Sequence, residues 1–247
     1  MSVDSPRVYL LDVEGTTSPV SLVSEQLFPY ARKHLAGYLR EHWNEPETQA
    51  DLALLAGENR AEKDEKQEHH LLPHFAQDDK SLGLDAALSY LLWLMDRDRK
   101  STALKSLQGR IWKSGYEAGE LVGTVFPDVA EAFARWSKTA KVAIYSSGSV
   151  EAQKLIFRYS SVGDLTPYIS AYFDTRTGAK TSSDSYRAIA VAMGVATSEI
   201  LFVSDLMREL DPAREAGCMT RLSVREGNQS VPDQCGHIAI RSFEEIP

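Results

Sequence analysis

The sequence predicts an α/β protein with a parallel-sheet core and an all-helical segment inserted after the first strand. A short apolar run from Val8 to Leu11 is followed by Asp12. Such a run is typical of a strand that is buried on both faces of a parallel sheet. Between Leu22 and Val122 strand patterns are scarce, and apolar residues recur at the three- and four-residue spacing of helices. After Phe126 strand and helix patterns alternate regularly, which is typical of parallel α/β sheets.

These patterns predict two domains. An α/β catalytic core takes residues 1–20 and 124–247, and a helical cap takes residues 21–123. Since the insertion leaves and re-enters the core just after the first strand, we expect it to lie over the carboxyl ends of the strands. Inside the cap, apolar spacing predicts helices from Leu84 to Arg99 and from Ala103 to Glu120.

The core sequence predicts five more strands and four helices between them. The strands are expected at Lys141–Tyr145, Ala171–Asp174, Ile200–Val203, Cys218–Val224 and Gly236–Ile240. The helices are expected at Val129–Trp136, Val150–Tyr159, Asp184–Met193 and Arg208–Ala216.

Composition and charge narrow the class of protein. The 247 residues are 43% hydrophobic and 25% charged, which is ordinary for a globular protein. A net charge of -8 argues against nucleic acid or an anionic membrane as a partner. A phosphorylated small molecule is still compatible with this charge, because a bound cation can invert the local field.

The two cysteines, Cys218 and Cys235, have neither metal-site spacing nor a disulfide pattern. We therefore expect a reducing compartment, the cytoplasm, with the nucleus as the alternative in a eukaryote. The first residues lack the basic and apolar regions of a signal peptide. No apolar run is long enough to span a bilayer.

The most informative stretch is the acid pair that follows the first strand. Asp12 and Glu14 are two residues apart and are followed by Gly15, which allows a sharp turn. Two neighbouring carboxylates repel each other, and Mg²⁺ relieves that repulsion because it prefers oxygen ligands. A carboxylate beside a phosphate can also act as a nucleophile. The alternative is a strand followed by an ordinary acidic turn.

Hydroxyl groups and a lysine follow the next strands. Ser146 and Ser147 begin a helix whose N-terminus could bind phosphate, although they could equally serve as helix caps. Lys180 lies in a glycine-containing loop, where it could place a charge on a phosphate or simply be solvated.

A further acid follows the strand that ends near Ser204. Asp205 could complete an oxygen shell with Asp12, or it could cap a helix. Glu209 lies one turn later and could orient that shell or pair with Arg208 or Arg214. Because reactive groups recur at several strand ends of one βα layout, phosphoryl transfer is favoured over unrelated caps.

The charged segment from Glu45 to Lys80 is expected to be an exposed helix or a mobile arm. It contains the only histidine cluster, formed by His69, His70 and His74. Their spacing could bind a metal, but the surrounding charge favours a solvated helix face.

The order of these motifs resembles the haloacid dehalogenase-like superfamily and, within it, the enolase-phosphatases of methionine salvage. The resemblance is carried by D-V-E-G-T-T-S at Asp12–Ser18, Y-S-S-G-S-V-E-A-Q-K at Tyr145–Lys154, F-D-T-R-T-G-A-K at Phe173–Lys180 and S-D-L-M-R-E at Ser204–Glu209. It spans nearly the whole chain and is weakest at Glu45–Lys80 and after Val224. Glu14 stands where most superfamily phosphatases have aspartate.

The resemblance implies a Rossmann-like core and a Mg²⁺-dependent enzyme with two steps. Enolisation of 2,3-diketo-5-methylthiopentyl-1-phosphate is followed by dephosphorylation to the acireductone. A broad small-metabolite phosphatase without enolase activity is the alternative, and a non-catalytic binding protein is a weaker one. The family habit implies a monomer.

The resemblance also implies residue roles. Asp12, Glu14 and Asp205 would bind the metal, and Ser146, Ser147 and Lys180 would bind substrate. Asp12, Glu14 and Lys180 would be catalytic. Glu14 is our candidate base for enolisation, while Asp12 would either attack phosphorus or only hold the metal.

Overall fold

The computed structural model of the protein describes residues 5–61, 80–230 and 236–247. The chain divides into two compact units, one formed by residues up to 25 together with 119–247 and the other by residues 26–118. His69, His70, His74 and Cys235 lie outside the described residues, and so does most of the charged segment after Ala61.

The residues 26–118 form a helical unit. Its helices are α1 (Phe28–His42), α2 (Pro46–Ala61), α3 (Lys80–Asp96) and α4 (Thr102–Glu117). Buried side chains such as Leu35, Leu55 and Leu91 form its own apolar core. Helices α1 and α4 pack closely, because Gly115 leaves room for the Tyr30 ring at a place where any larger residue would collide with it.

The other unit contains one six-stranded sheet, and all its strand pairs are parallel. The strands are β1 (Val8–Leu11), β2 (Lys141–Tyr145), β3 (Ile169–Phe173), β4 (Ile200–Ser204), β5 (Met219–Ser223) and β6 (Ile238–Ile240). Their spatial order is β3-β2-β1-β4-β5-β6. The predicted α/β fold with a Rossmann-like parallel sheet is therefore confirmed.

Four helices connect the strands, at α5 (Val129–Trp136), α6 (Val150–Arg158), α7 (Ser183–Met193) and α8 (Met207–Glu215). The predicted elements agree with these to within two residues at each end. Side chains from the sheet, α7 and α8 share one buried cluster that includes Leu10, Tyr145, Tyr186, Phe202 and Leu210. Among the described helices, none is both long and apolar enough to cross a membrane.

Strand register determines where the reactive residues emerge. Leu11 lies opposite Ile144 of β2 and Val203 of β4, and the Asp12 amide donates to the Val203 carbonyl over 3.0 Å. The residues just beyond β1, β2 and β4 therefore share one edge of the sheet. The strand order also reverses at β1, and ligands bind at such reversals in open α/β sheets.

Candidate active site

A buried lysine joins two carboxylates from distant parts of the chain. Lys180 Nζ lies 2.6 Å from Asp12 Oδ1 and 2.5 Å from Glu209 Oε2. All three side chains are less than 10% exposed. A buried ammonium is tolerated only when its charge is compensated. The solvated-loop alternative for Lys180 is therefore wrong.

Several hydrogen bonds hold this lysine in place. The Tyr186 hydroxyl lies 2.8 Å from the Lys180 carbonyl and 2.9 Å from the Glu209 carbonyl, so one proton is shared between the two segments. The Ser204 hydroxyl donates to Glu209 Oε2 over 2.9 Å. Glu209 thus orients Lys180, whereas its neighbour Arg214 pairs with Asp211.

Gly15 brings the acid of β4 next to the acid pair of β1. Its φ of +69° belongs to the left-handed region, which glycine adopts at little cost. A Cβ at Gly15 would lie 2.6 Å from Asp205 Oδ2, so only glycine lets this carboxylate approach. Asp205 therefore lies directly against the loop that carries Asp12 and Glu14.

The crowding of acids shifts their protonation. Burial raises the pKa of Asp12 to about 6, with Lys180 opposing the shift and Glu209 adding to it. Partial burial and the Asp12 charge raise the pKa of Glu14 to about 7, although this side chain reaches solvent. Burial and the charges of Asp12 and Glu209 raise the pKa of Asp205 to about 7.

The pKa of Lys180 is also raised, but here the neighbouring charges rather than burial are the cause. Burial by itself would lower the pKa of its ammonium group, but the Asp12 and Glu209 carboxylates outweigh burial and raise it. The lysine is therefore a fixed positive charge at neutral pH. It pairs directly with two of the four acids at this edge, Asp12 and Glu209. Its charge also opposes the rise in the pKa of Glu14 and Asp205, but burial and the neighbouring carboxylates outweigh it there.

The carboxylates at this sheet edge suit a divalent cation. Among the described residues, no three His, Cys, Asp or Glu side chains converge closely enough to hold a metal by themselves. Mg²⁺, however, usually takes only one or two carboxylates from the protein and completes its shell with water and substrate phosphate. Asp12 and Asp205 supply two. Burial, with a smaller contribution from neighbouring carboxylates, raises the pKa of both groups, and a bound cation would stabilise their charged forms.

The serine motif lies at the neighbouring strand end. The Ser146 hydroxyl is buried and accepts from the Gly148 amide over 3.2 Å. Ser149, rather than Ser146 or Ser147, caps α6 by accepting from the Ala152 amide. Ser147 is exposed at this edge, so the capping alternative does not account for it.

Sequence reasoning missed the residues that support the site from behind. Tyr186 and Tyr145 resemble ordinary core aromatics, yet the Tyr145 hydroxyl donates to the Gly178 carbonyl in the Lys180 loop over 2.9 Å. Ser223 ends β5, and Asn228 lies in the segment after it. Both side chains donate to the Gly15 carbonyl over 2.9 Å. No local pattern marks these contacts, because each joins segments that are distant in sequence.

The parallel sheet and the buried acid–lysine–acid cluster at its edge are the arrangement expected of a phosphotransfer enzyme with a Rossmann-like core. The sequence profile of the haloacid dehalogenase-like hydrolases matches residues 6–217. Phosphatases of that family generally use Mg²⁺.

Comparison with individual relatives assigns the chain to a narrower family. The chain is 50% identical to "Enolase-phosphatase E1" of Synechococcus elongatus, with 96% of each protein covered. It is 44% identical to "Enolase-phosphatase E1" of Pseudomonas aeruginosa, with 97% of each covered. The crystal structure of UTR4 protein from Saccharomyces cerevisiae superimposes with a TM-score of 0.74 at 35% identity, covering 97% of this chain and 99% of that one. The chain therefore belongs to the enolase-phosphatase family of the haloacid dehalogenase-like hydrolases.

Proposed function

We propose that the protein converts 2,3-diketo-5-methylthiopentyl-1-phosphate to its acireductone by enolisation and then dephosphorylation. The observation that carries this proposal is the 50% identity to an enolase-phosphatase over 96% of both chains. The geometry supports it, because one sheet edge combines three suitable groups. Asp12 is a buried candidate nucleophile, Lys180 carries a fixed positive charge, and Glu14 is a candidate base with a pKa of about 7.

Mg²⁺ is the cofactor that this proposal requires. Asp12, Asp205 and Glu14 would hold it, since Asp205 lies against the Gly15 turn that follows Asp12 and Glu14. When bound, the cation stabilises negative charge on substrate oxygens. The protein is proposed to act as a monomer in the cytoplasm on this small phosphorylated diketone.

Glu14 is proposed as the base of the first step. A proton on the carbon next to a carbonyl moves to the Glu14 carboxylate, and the electron pair of the broken C–H bond forms the carbon–carbon double bond. The carbonyl π bond breaks at the same time, and its electron pair goes to the oxygen, which gains a proton from water to give the enol. A general base works best when its pKa lies near the working pH, and the pKa of Glu14 is about 7. Its exposure at the edge of the site leaves it accessible to substrate.

Asp12 is proposed as the nucleophile of the second step. One carboxylate oxygen is paired with Lys180, and the other attacks phosphorus while the bond to the substrate oxygen breaks. Water then hydrolyses the acyl phosphate, which restores Asp12 and releases inorganic phosphate. A beryllofluoride adduct trapped on Asp12 supports this step, and phosphatase turnover that persists in Asp12→Asn contradicts it.

Ser146, Ser147 and Lys180 are proposed to bind the phosphate. Helix α6 begins just beyond β2, at the sheet edge that also carries Asp12, and a helix N-terminus favours an anion. The helical unit is proposed as a cap domain that excludes water during enolisation, which rests on its insertion just after the first strand.

The decisive experiment follows enol absorbance and phosphate release together during turnover of the diketo phosphate. The proposal expects both signals, with the enol first. Phosphate release from simple esters without enol formation from the diketo substrate would instead establish the broad phosphatase.

Substitution of Glu14 by Gln separates the two steps. We expect Glu14→Gln to lower diketo-phosphate turnover by about 10²–10⁴-fold, since it removes the base. Hydrolysis of 4-nitrophenyl phosphate, which needs no enolisation, should fall much less. If both activities fall equally, Glu14 acts through the metal rather than as the base.

A further inference from the structure

The orientation of Asn228 is determined by its hydrogen bonds. Its amide nitrogen donates to the Gly15 carbonyl over 2.9 Å and to the Ser223 carbonyl over 3.1 Å. A side-chain amide has two protons on nitrogen and none on oxygen. Because both neighbours are carbonyl acceptors, the nitrogen must face them, and Oδ1 must point the other way.

Oδ1 of Asn228 lies beside the Gly15 turn, close to the Asp205 carboxylate. The atom is buried and has no hydrogen-bond partner among the described residues. The position that a Cβ of Gly15 would occupy lies 2.8 Å from this oxygen and 2.6 Å from Asp205 Oδ2. Two oxygens that accept hydrogen bonds therefore border the same small space beside the Gly15 turn.

A buried acceptor without a donor is unfavourable, and such atoms in native proteins usually have an identifiable partner. When a cation is bound, Asp205 is ionised and only accepts, so it cannot be that partner. Because no described residue donates to this oxygen, the donor in the metal-bound protein must come from a molecule that occupies the site. Water bound to a cation is a strong donor, because the cation polarises its O–H bonds.

We propose that Asn228 Oδ1 accepts a hydrogen bond from a water molecule bound to the divalent cation at Asp12 and Asp205. This inference rests on the proposed function, which supplies the cation. Asn228 is then a positioning residue that orients the water shell of the metal without touching substrate. Outer-shell partners of this kind change metal affinity by about 10–100-fold.

Ser223 provides a matched control. Asn228 could act only by holding the Gly15 carbonyl, but the Ser223 hydroxyl makes the same contact over the same 2.9 Å. Ser223→Ala removes one support of the turn and leaves Asn228 Oδ1 in place. Asn228→Ala removes one support of the turn, the hydrogen bond to the Ser223 carbonyl and the acceptor together. Thermal unfolding of the two variants reports the loss of the extra bond, and the remaining difference in Mg²⁺ affinity reports the acceptor.

The experiment measures Mg²⁺ affinity by isothermal titration calorimetry on the full-length protein and both variants. We expect Asn228→Ala to raise the Kd for Mg²⁺ by about 10–100-fold and Ser223→Ala by less than about threefold. Thermal unfolding without Mg²⁺ should differ little between the two variants. Should Asn228→Ala not fold, Asn228→Leu, which keeps much of the side-chain volume, takes its place.

Equal Kd values for the two variants would overturn the inference, because Asn228 would then act only through the Gly15 turn. An unchanged Kd in Asn228→Ala would overturn it as well. If the wild-type protein itself binds no Mg²⁺, the proposed function fails together with this inference. If the wild type binds Mg²⁺ and turns over the diketo phosphate, only the role of Asn228 is in question.

Discussion

At the scale of single residues, the chemistry depends on charge compensation around Lys180. One ammonium lies within 2.6 Å of carboxylates from β1 and α8. The Tyr186 hydroxyl lies within hydrogen-bond distance of the backbone carbonyls of both Lys180 and Glu209. The lysine neutralises buried acids, and we propose that it also presents a fixed positive charge to the substrate phosphate.

Replacement of Lys180 by Met tests both functions. We expect kcat/KM for phosphorylated substrates to fall by about 10²–10³-fold, because a preorganised charge is lost. The free energy of unfolding should fall by about 3–5 kcal/mol, because Asp12 and Glu209 stay buried without their partner. Steady-state kinetics and thermal unfolding measure the two effects.

Lys138, an exposed lysine of the same unit, supplies the control. Lys138→Met should leave both activity and stability within experimental error, as most exposed substitutions do. Wild-type kinetics in Lys180→Met would remove the lysine from the site.

At the scale of elements, the turn after β1 determines whether the acids can meet. Gly15 combines a left-handed backbone with a close approach to Asp205 and Asn228. Gly194, which ends α7, has nearly the same φ of +70° but has open space where a Cβ would lie. A side chain at Gly194 would therefore cause backbone strain alone, whereas a side chain at Gly15 would cause both backbone strain and a steric clash.

Substitution of each glycine by Ala gives a matched pair. Gly194→Ala should lower the free energy of unfolding by about 1–2 kcal/mol through left-handed strain and leave activity unchanged. Gly15→Ala should add a clash that displaces Asp205 and lower both Mg²⁺ affinity and kcat/KM by at least about tenfold. Calorimetry, kinetics and thermal unfolding measure these effects, and equal behaviour of the two variants would contradict the proposed role of Gly15.

At the scale of the whole molecule, four acids and one lysine give the site a net negative charge that protons and a cation compete to neutralise. The pKa values of Asp12, Glu14 and Asp205 all lie above those of exposed carboxyl groups. A metal ligand must be deprotonated to bind. Protonation and cation binding are therefore linked.

We expect the Kd for Mg²⁺ to decrease as pH rises from 6 to 8, by up to about tenfold per pH unit for each proton displaced. The free energy of unfolding of the metal-free protein should decrease over the same pH range. Carboxyl groups whose pKa is raised by folding stabilise the protein below their unfolded pKa, and this contribution is lost as pH rises through about 6 to 7. Mg²⁺ should therefore raise the Tm more at pH 8 than at pH 6.

Calorimetry in two buffers of different ionisation enthalpy measures the protons released on binding. A pH-independent Kd with no proton release would show that the three acids are already ionised in the metal-free protein.

The sequence by itself determined the parallel sheet, its helices and the inserted helical segment. Each depends on local apolar spacing, because a strand buried on both faces and an amphipathic helix leave different periods in the chain. It also identified Asp12, Glu14, Lys180 and Asp205 as candidates, because parallel strands bring their carboxyl ends to one edge.

Only the tertiary structure decided which of these groups touch one another. It paired Glu209 with Lys180, gave the capping of α6 to Ser149, and placed Asn228 against the Gly15 turn. These contacts join segments up to 213 residues apart. Local sequence carries no record of such contacts, because strand order and register, rather than neighbouring residues, bring the partners together.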